Sequence, residues 1–172
     1  LNNYPKLTFK NNRIKEEDTF KFLKLYYSHF MSLQQKVYNI MLTKLKTDNL
    51  GIMDDTMCSQ ISNIVYPINP KNKRKTLDEC YGKKGFLNVF QMSQNYRFKF
   101  KPEILKTLDN PIRTPFDMSY IRNYSAKIYS IIDNIINNKK NRPKNGIIFI
   151  YSRFLWSGIL PLAIALEQVG FD

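Results

Sequence analysis

The chain has 172 residues, 43% of them hydrophobic, with 27 Lys and Arg against 14 Asp and Glu, a formal charge of +13. This composition is typical of a globular protein rather than a disordered tail; no apolar run approaches the roughly 20 residues of a membrane span, and no signal peptide opens the chain. The cationic excess favours a polyanionic partner, because each neutralised phosphate releases counterions, although an AT-rich genome would also enrich Asn, Lys, Ile and Tyr.

The residues that usually carry metal or hydrolytic chemistry are scarce. Cys58 and Cys80 are the two cysteines and His29 is the one histidine. Without a CxxC or paired histidines we expect no structural zinc site, and two reduced thiols indicate a reducing intracellular compartment. No GxxxxGK[ST] loop and no DExx pair after a hydrophobic strand occurs, so this chain alone is predicted to bind no nucleotide or metal and to hydrolyse nothing.

The first third of the chain predicts an irregular lead-in followed by a helix. Residues 20–30 fit either one face of a helix or a buried strand. Ser32 and Gln35 have the spacing of a capping box, which predicts a helix start. Apolar residues then recur at helical spacing, namely Leu33, Val37, Ile40, Met41 and Leu45.

The middle of the chain is basic and less regular. Residues 53–65 predict a second, weaker helix. Residues 69–85 predict a basic loop, with a Lys/Arg run at 71–75 and Gly82-Lys83-Lys84-Gly85 at its end. Such a run is usually a solvated face, and the alternative is contact with a phosphate backbone. Residues 86–108 alternate aromatic and basic side chains, which predicts an exposed strand or loop.

Two further elements are predicted after the break at Pro111 and Pro115. The first is a helix with a continuous apolar stripe that is expected to be core, formed by Tyr124, Ile128, Ile131, Ile132, Ile135 and Ile136. The second begins with Ile147–Tyr151, a β-branched and aromatic run typical of a strand covered on both faces. A helix follows Ser157-Gly158, with Pro161 in its first turn and Gly170 just past its end. This is half of a βαβ unit, so we expect the chain to be a fragment.

Four blocks of sequence, taken in order, carry a resemblance to a known family. They are Met31–Tyr38, Gln60–Pro67 with Tyr81–Phe86 behind it, Tyr124–Ile128 with its Ser-x-Lys element, and Ile147–Phe154 continuing to Leu166–Phe171. Together they resemble a superfamily 2 helicase of the DEAD/DEAH-like kind encoded by large DNA viruses, related to Swi/Snf-type translocases. The fourth block is similar to helicase motif IV and its helix.

The resemblance implies an α/β fold, namely an incomplete RecA-like helicase C-terminal domain preceded by a mainly helical linker. Residues 1–50 would be the end of a first motor domain, strand then helix. Residues 51–120 would be a basic irregular or helical linker or insertion, and residues 121–172 the truncated start of the second motor domain. The implied activity is that of an ATP-dependent DNA helicase or translocase serving viral transcription, in a viral factory or virion. The parent protein would bind ATP and Mg²⁺ through motifs outside this chain, so no catalytic residue is carried over.

Three residues are candidate nucleic-acid contacts. Motif IV of the family lies near the nucleic-acid backbone, which implies Ser152 and Arg153, and a hydroxyl and a guanidinium just past a strand end suit phosphate oxygens. Lys127 of the Ser-x-Lys element is the third candidate. The alternatives are a stand-alone basic module that binds nucleic acid or protein without an ATPase, and a structural protein whose charge reflects base composition. An unpaired apolar strand at 147–151 further predicts that the isolated chain aggregates or folds only in part.

Overall fold

The structure is a computed structural model that describes residues 26–48, 53–67, 79–94, 97–141 and 147–171. Its elements in chain order are α1 (Ser32–Asp48), α2 (Met53–Asn63), α3 (Gly82–Val89), β1 (Phe90–Met92), β2 (Phe98–Phe100), α4 (Pro102–Leu105), α5 (Ile121–Tyr124), α6 (Ala126–Asn141) and α7 (Leu160–Gln168). A wide helical turn at Leu155–Ile159 leads directly into α7. The described part of the chain is therefore mainly helical, with one antiparallel hairpin formed by β1 and β2.

The larger hydrophobic core joins the second half of the chain to the loop after α2. Its buried members come from that loop, α3, the hairpin, the segments around α4 and α5, α6 and α7, and are Ile64, Tyr66, Phe86, Val89, Phe90, Ile104, Phe116, Ile121, Ile128, Ile132, Leu162, Ile164 and Ala165. A smaller core lies between α1 and α2 and consists of Val37, Met41, Ile61, Val65 and Cys80. Ile61 of α2 lies in the smaller core, and Ile64, just after the helix, lies in the larger core. The end of α2 is therefore fixed between the two cores.

Aromatic rings fill the centre of the larger core. The ring centroids of Phe90 and Phe100 are 4.5 Å apart, and Phe86 meets Phe98 edge to face at 4.8 Å. Trp156 packs against Phe86 at 5.2 Å, which brings the turn before α7 onto α3. Tilted and edge-to-face pairs at these separations stabilise a core beyond the area that they bury.

The predicted helices are confirmed where the structure describes them. Helix α1 begins at Ser32, α2 ends at Asn63, and α6 buries the predicted stripe through Ile128, Ile132 and Ile135. Helix α7 has Pro161 in its first turn, where the missing N–H has no intrahelical partner to lose. Gly170 follows the helix end with a φ of +87°, the left-handed conformation that glycine adopts without strain.

The prediction that the basic loop runs through to Gly85 is wrong at its end. Gly82-Lys83-Lys84-Gly85 begins α3, and both glycines are buried. Gly85 is needed for packing, since a Cβ there would lie 2.8 Å from Cδ2 of Tyr66 and 2.9 Å from the carbonyl carbon of Cys80. Two glycines signal a loop by local propensity, but here they allow a helix to approach its neighbour closely. Residues 69–78 of the predicted loop lie outside the described residues.

The prediction of a strand covered on both faces at Ile147–Tyr151 is also wrong. Residues 147–150 form no strand, and Ile147, Phe149 and Tyr151 are exposed. A β-strand requires a hydrogen-bonded neighbour, and none of the described residues supplies one. The β-branched residues favour an extended backbone, but the described residues include no strand that could pair with this run. The RecA-like fold stays a prediction.

The alternatives for residues 20–30 are not resolved in full. Residues 20–25 lie outside the described residues, and residues 26–30 adopt no regular structure. The helical half of the predicted 1–50 segment corresponds to α1, whose buried Val37 and Met41 are at the predicted apolar positions.

We expect Phe149→Lys to raise the soluble fraction of the chain without lowering its melting temperature. Phe149 is 87% exposed within an apolar run of unpaired backbone, so a charge there interrupts an aggregation-prone segment and removes no core contact. Turbidity and sedimentation after mild heating measure the effect. Ile112→Lys is the matched control, since Ile112 is 91% exposed but lies in a loop between α4 and α5. Equal gains from both variants would contradict the assignment of aggregation to 147–151.

Candidate nucleic-acid interface

The Ser-x-Lys element lies at the start of α6, against the end of α2. Ser125 is buried, and its hydroxyl accepts a hydrogen bond from the N–H of Ile128 at 3.0 Å, which is the bond of a helix N-cap. The same hydroxyl donates to the carbonyl oxygen of Asn63 at 2.5 Å. One serine therefore caps the N-terminus of α6 and satisfies a carbonyl at the C-terminus of α2.

Gln34 of α1 joins the same two helix ends. The side chain is fully buried, and its Nε2 donates to the carbonyl oxygens of Ile61 at 3.0 Å and Ser62 at 3.1 Å. Its Oε1 accepts from the N–H of Ala126 at 3.1 Å. An amide has donors at one end and an acceptor at the other, so it fits between a helix C-terminus that offers carbonyls and a helix N-terminus that offers N–H groups.

The last four carbonyls of α2 are thereby all satisfied. The carbonyl oxygen of Gln60 accepts from the N–H of Ile64 at 3.0 Å. The side chain of Gln34 donates to the next two carbonyl oxygens, and the hydroxyl of Ser125 donates to the fourth. The N–H of Val65 then donates to the carbonyl oxygen of Tyr124 at 2.8 Å, which fixes the chain as it leaves α2. A helix end buried without such partners would be strongly destabilising, because each unpaired carbonyl loses its water.

Lys127, the third candidate contact, belongs to this junction. Its Nζ donates to Oγ of Ser62 at 3.1 Å and to Oδ1 of Asn63 at 3.0 Å. Partial burial against α2 lowers the pKa of the Lys127 ammonium. A cation at a helix C-terminus is favourable, so Lys127 also stabilises the end of α2. A phosphate contact through Lys127 remains a prediction; the side chain is exposed, and an ammonium with three N–H donors keeps one beyond these two hydrogen bonds.

Ser152 and Arg153 lie together in the segment before the wide turn. The Ser152 hydroxyl accepts from the N–H of Phe154 at 3.2 Å and donates to the carbonyl oxygen of the same residue at 3.1 Å. A Cβ at Gly158 would lie 2.0 Å from this hydroxyl oxygen, so Ser152 fits only because residue 158 is glycine. The Arg153 side chain is exposed, with its guanidinium carbon 5.7 Å from the ring centroid of Phe154. Of the two residues, Arg153 is therefore better placed to reach a phosphate.

A second buried junction holds the wide turn against α2 and α3. The buried Ser157 accepts at Oγ from the N–H of Gly82 at 2.8 Å and donates to Oε1 of Gln60 at 3.2 Å. The hydroxyl of Tyr66 donates to the carbonyl oxygen of Trp156. Gly82 has a φ of +63°, and a Cβ there would lie 3.1 Å from Oε1 of Gln60, so a side chain would be strained and crowded. These contacts fix the segment that carries Ser152 and Arg153.

Gln34, Gln60 and Ser157 form buried or partly buried hydrogen bonds that were not predicted from the sequence. For Gln34 a signal was present, because it shares a helical face with the buried Val37 and Met41. A polar residue on an apolar stripe indicates a buried hydrogen-bonding role. No local pattern indicates a role for Gln60 or Ser157, because these two residues bond each other across 97 positions of the chain.

The described residues contain no group of three or more His, Cys, Asp or Glu side chains placed to hold a metal ion. Within the same part of the chain, no helix has the length and apolar character needed to cross a membrane. The chain matches no protein-family model, and neither the search of curated proteins nor that of solved structures returned a match. The arguments for function therefore rest on the residues themselves.

We expect Gln34→Leu to lower the free energy of unfolding by about 2–4 kcal/mol, because it leaves buried carbonyls and an N–H without partners. Gln35→Leu is the matched control on the next residue. The Gln35 side chain is exposed and donates to Oδ1 of Asn39 at 2.9 Å, an i,i+4 pair whose loss costs no more than about 0.5 kcal/mol. Urea unfolding followed by circular dichroism measures both. Equal losses in the two variants would contradict the role of Gln34.

The variant Tyr66→Phe tests the second junction through the pH dependence of the free energy of unfolding. Burial raises the pKa of Tyr66 well above its ordinary value of about 10. The stabilisation from the neutral phenol is therefore complete below about pH 10 and is lost as pH rises towards the folded-state pKa. We expect the variant to lose about 1 kcal/mol at neutral pH and to show a shallower decline in stability as the pH rises above about 10. An unchanged alkaline slope would contradict the buried hydrogen-bonded phenol.

Proposed function

We propose that this chain is part of an ATP-dependent helicase or translocase that acts on DNA in viral transcription. Nucleotide and Mg²⁺ would be held by parts of the motor outside this chain, because its sequence contains no P-loop and no DExx pair that follows a hydrophobic strand. When bound, ATP would supply the free energy of hydrolysis that drives movement. The residues of this chain would align the second motor domain with the linker and contact the nucleic-acid backbone.

One observation carries the proposal, namely that hydrogen bonds join the first three resembling blocks to one another and join the second block to the turn between the two parts of the fourth. Gln34 of the first block bonds the second block at Ile61 and the third at Ala126, which lies 92 positions away. Tyr66 and Gly82, both of the second block, bond Trp156 and Ser157, which lie between the two parts of the fourth block. These hydrogen bonds hold the segments in one fixed arrangement. Their meeting supports the view that they form one functional unit.

The arrangement also supports different roles for the candidate contacts. Ser125 and Gln34 fix the start of α6, while Ser157 and Tyr66 fix the turn that follows Arg153. An exposed guanidinium on a fixed segment loses little conformational entropy when it binds a phosphate, and its planar donors suit phosphate oxygens. Arg153 is therefore the proposed phosphate contact, and Ser152 shapes the backbone beside it.

The test uses the protein encoded by the complete reading frame, read several hundred bases in both directions from this segment. We expect in-frame motor motifs on both sides and an ATPase that DNA stimulates. Arg153→Gln should raise the DNA concentration for half-maximal stimulation about tenfold, the effect of losing one charge-assisted hydrogen bond. Lys36→Gln, an exposed cation on α1, is the control and should leave that concentration unchanged. Stop codons close on each side, or an ATPase indifferent to DNA, would overturn the proposal.

The second candidate is a stand-alone basic module that binds nucleic acid without an ATPase, which the formal charge of +13 favours. It shares with the first the expectation that affinity for duplex DNA falls with salt, with a slope of about −0.9 per phosphate contact in a log–log plot. The complete reading frame distinguishes the two candidates, because only the first requires in-frame motor motifs on both sides. A flat response to salt would remove the binding module.

A further inference from the structure

The β1–β2 hairpin has a regular ladder longer than its two short strands. Phe90 pairs with Phe100, Gln91 with Lys99 and Met92 with Phe98. The same pairing continues on either side, since the N–H of Ser93 donates to the carbonyl oxygen of Arg97 at 2.8 Å and the N–H of Lys101 donates to that of Val89 at 2.9 Å. Residues 97–101 therefore follow the alternation of an extended strand.

Alternation places aromatic and basic side chains on opposite faces. Phe98 and Phe100 face the larger core, where they contact Phe86 and Phe90. Arg97, Lys99 and Lys101 lie at alternate positions on the other face; the first two are exposed and the third is partly buried. The Nζ of Lys101 donates to the carbonyl oxygen of Leu87 at 2.6 Å, which ties its charge to the end of α3.

No acidic residue neutralises this segment from within. From Cys80 to Pro102 the sequence contains five cations and neither Asp nor Glu; the cations are Lys83, Lys84, Arg97, Lys99 and Lys101. Lys83 and Lys84 are also exposed, at the beginning of the helix that leads into the hairpin. Lys99 has Gln91 as its cross-strand neighbour, so its charge is not compensated across the ladder either. Glu79 and Glu103 flank this stretch but lie outside the strand, so exposed cations outnumber acidic residues along it and form a surface that attracts phosphates.

We propose that the outward face of this hairpin, Arg97–Lys99–Lys101, binds the phosphate backbone of DNA. Alternate residues of a strand lie about 6.8 Å apart. Phosphates of one DNA strand step about 3.4 Å along the axis and also wind round it, so neighbouring phosphates are about 7 Å apart and the spacing of the three cations matches neighbouring phosphates. The inference rests on the proposed function only for its DNA partner. It adds contacts that lie within the linker, apart from the motif IV segment with Arg153.

The test compares two variants that each remove two positive charges. Arg97→Gln/Lys99→Gln alters the hairpin face and leaves Lys101 and its bond to Leu87 intact. Lys36→Gln/Lys44→Gln, two exposed cations of α1, is the matched control. Binding of each chain to a labelled duplex is measured by fluorescence anisotropy across a salt series, and circular dichroism melts confirm that both variants fold as the parent chain does.

We expect the hairpin variant to have a log–log salt slope shallower by about 1.8, two contacts at about 0.9 each. Its loss of affinity between about 50 and 200 mM salt should accordingly be about tenfold smaller than that of the parent chain. The control should keep the slope of the parent.

Two results would overturn the inference, and they differ in what they say of the proposed function. Equal changes in the two variants would mean that total charge decides binding; the hairpin face would then have no special role, while DNA would remain the partner. A flat salt response of the parent chain would overturn the hairpin site and DNA binding by this chain together. The ATPase of the complete protein is measured separately and would still test the motor.

Discussion

The arrangement of the described helices depends on one buried amide, that of Gln34. Its donors meet two carbonyls at the end of α2, and its acceptor meets an N–H at the beginning of α6. A buried amide is tolerated only when its hydrogen-bonding capacity is used, so these three elements must keep their relative positions for the chain to fold. The partial negative charge of one helix C-terminus also lies beside the partial positive charge of a helix N-terminus, which is a favourable electrostatic arrangement.

The second junction depends on small residues as much as on hydrogen bonds. Gly85 lets α3 approach Tyr66, and Gly158 leaves room for the hydroxyl of Ser152. The wide turn at Leu155–Ile159, closed by the N–H of Ile159 donating to the carbonyl oxygen of Phe154 at 3.0 Å, carries Ser157 into the buried network. The turn fixes the segment beside the exposed Arg153.

Some of the basic side chains form hydrogen bonds to neighbouring elements, and others are exposed without such bonds in the described part of the chain. Lys127 and Lys101 each donate to neighbouring elements, and burial lowers the pKa of the first. Arg153, Arg97 and Lys99 are exposed on fixed backbone and donate to no neighbouring element in the described part of the chain. Net charge alone therefore overstates the number of phosphate contacts, and the geometry separates cations that hold the fold from those available to a polyanion.

The sequence by itself determined the elements whose signals are local. The period of the apolar residues located α1 and α6, and Pro161 and Gly170 bounded α7, because these preferences act within a few residues. The tertiary structure decided what depends on distant partners. Among the described residues Ile147–Tyr151 has no neighbouring strand to pair with. Gly85 lies in a helix rather than a loop, and it is needed there because Tyr66 and Cys80 leave no room for a side chain. Ser125, Lys127, Ser152 and Arg153 lie in blocks found from sequence, but only folding shows which of them bond protein atoms and which remain exposed.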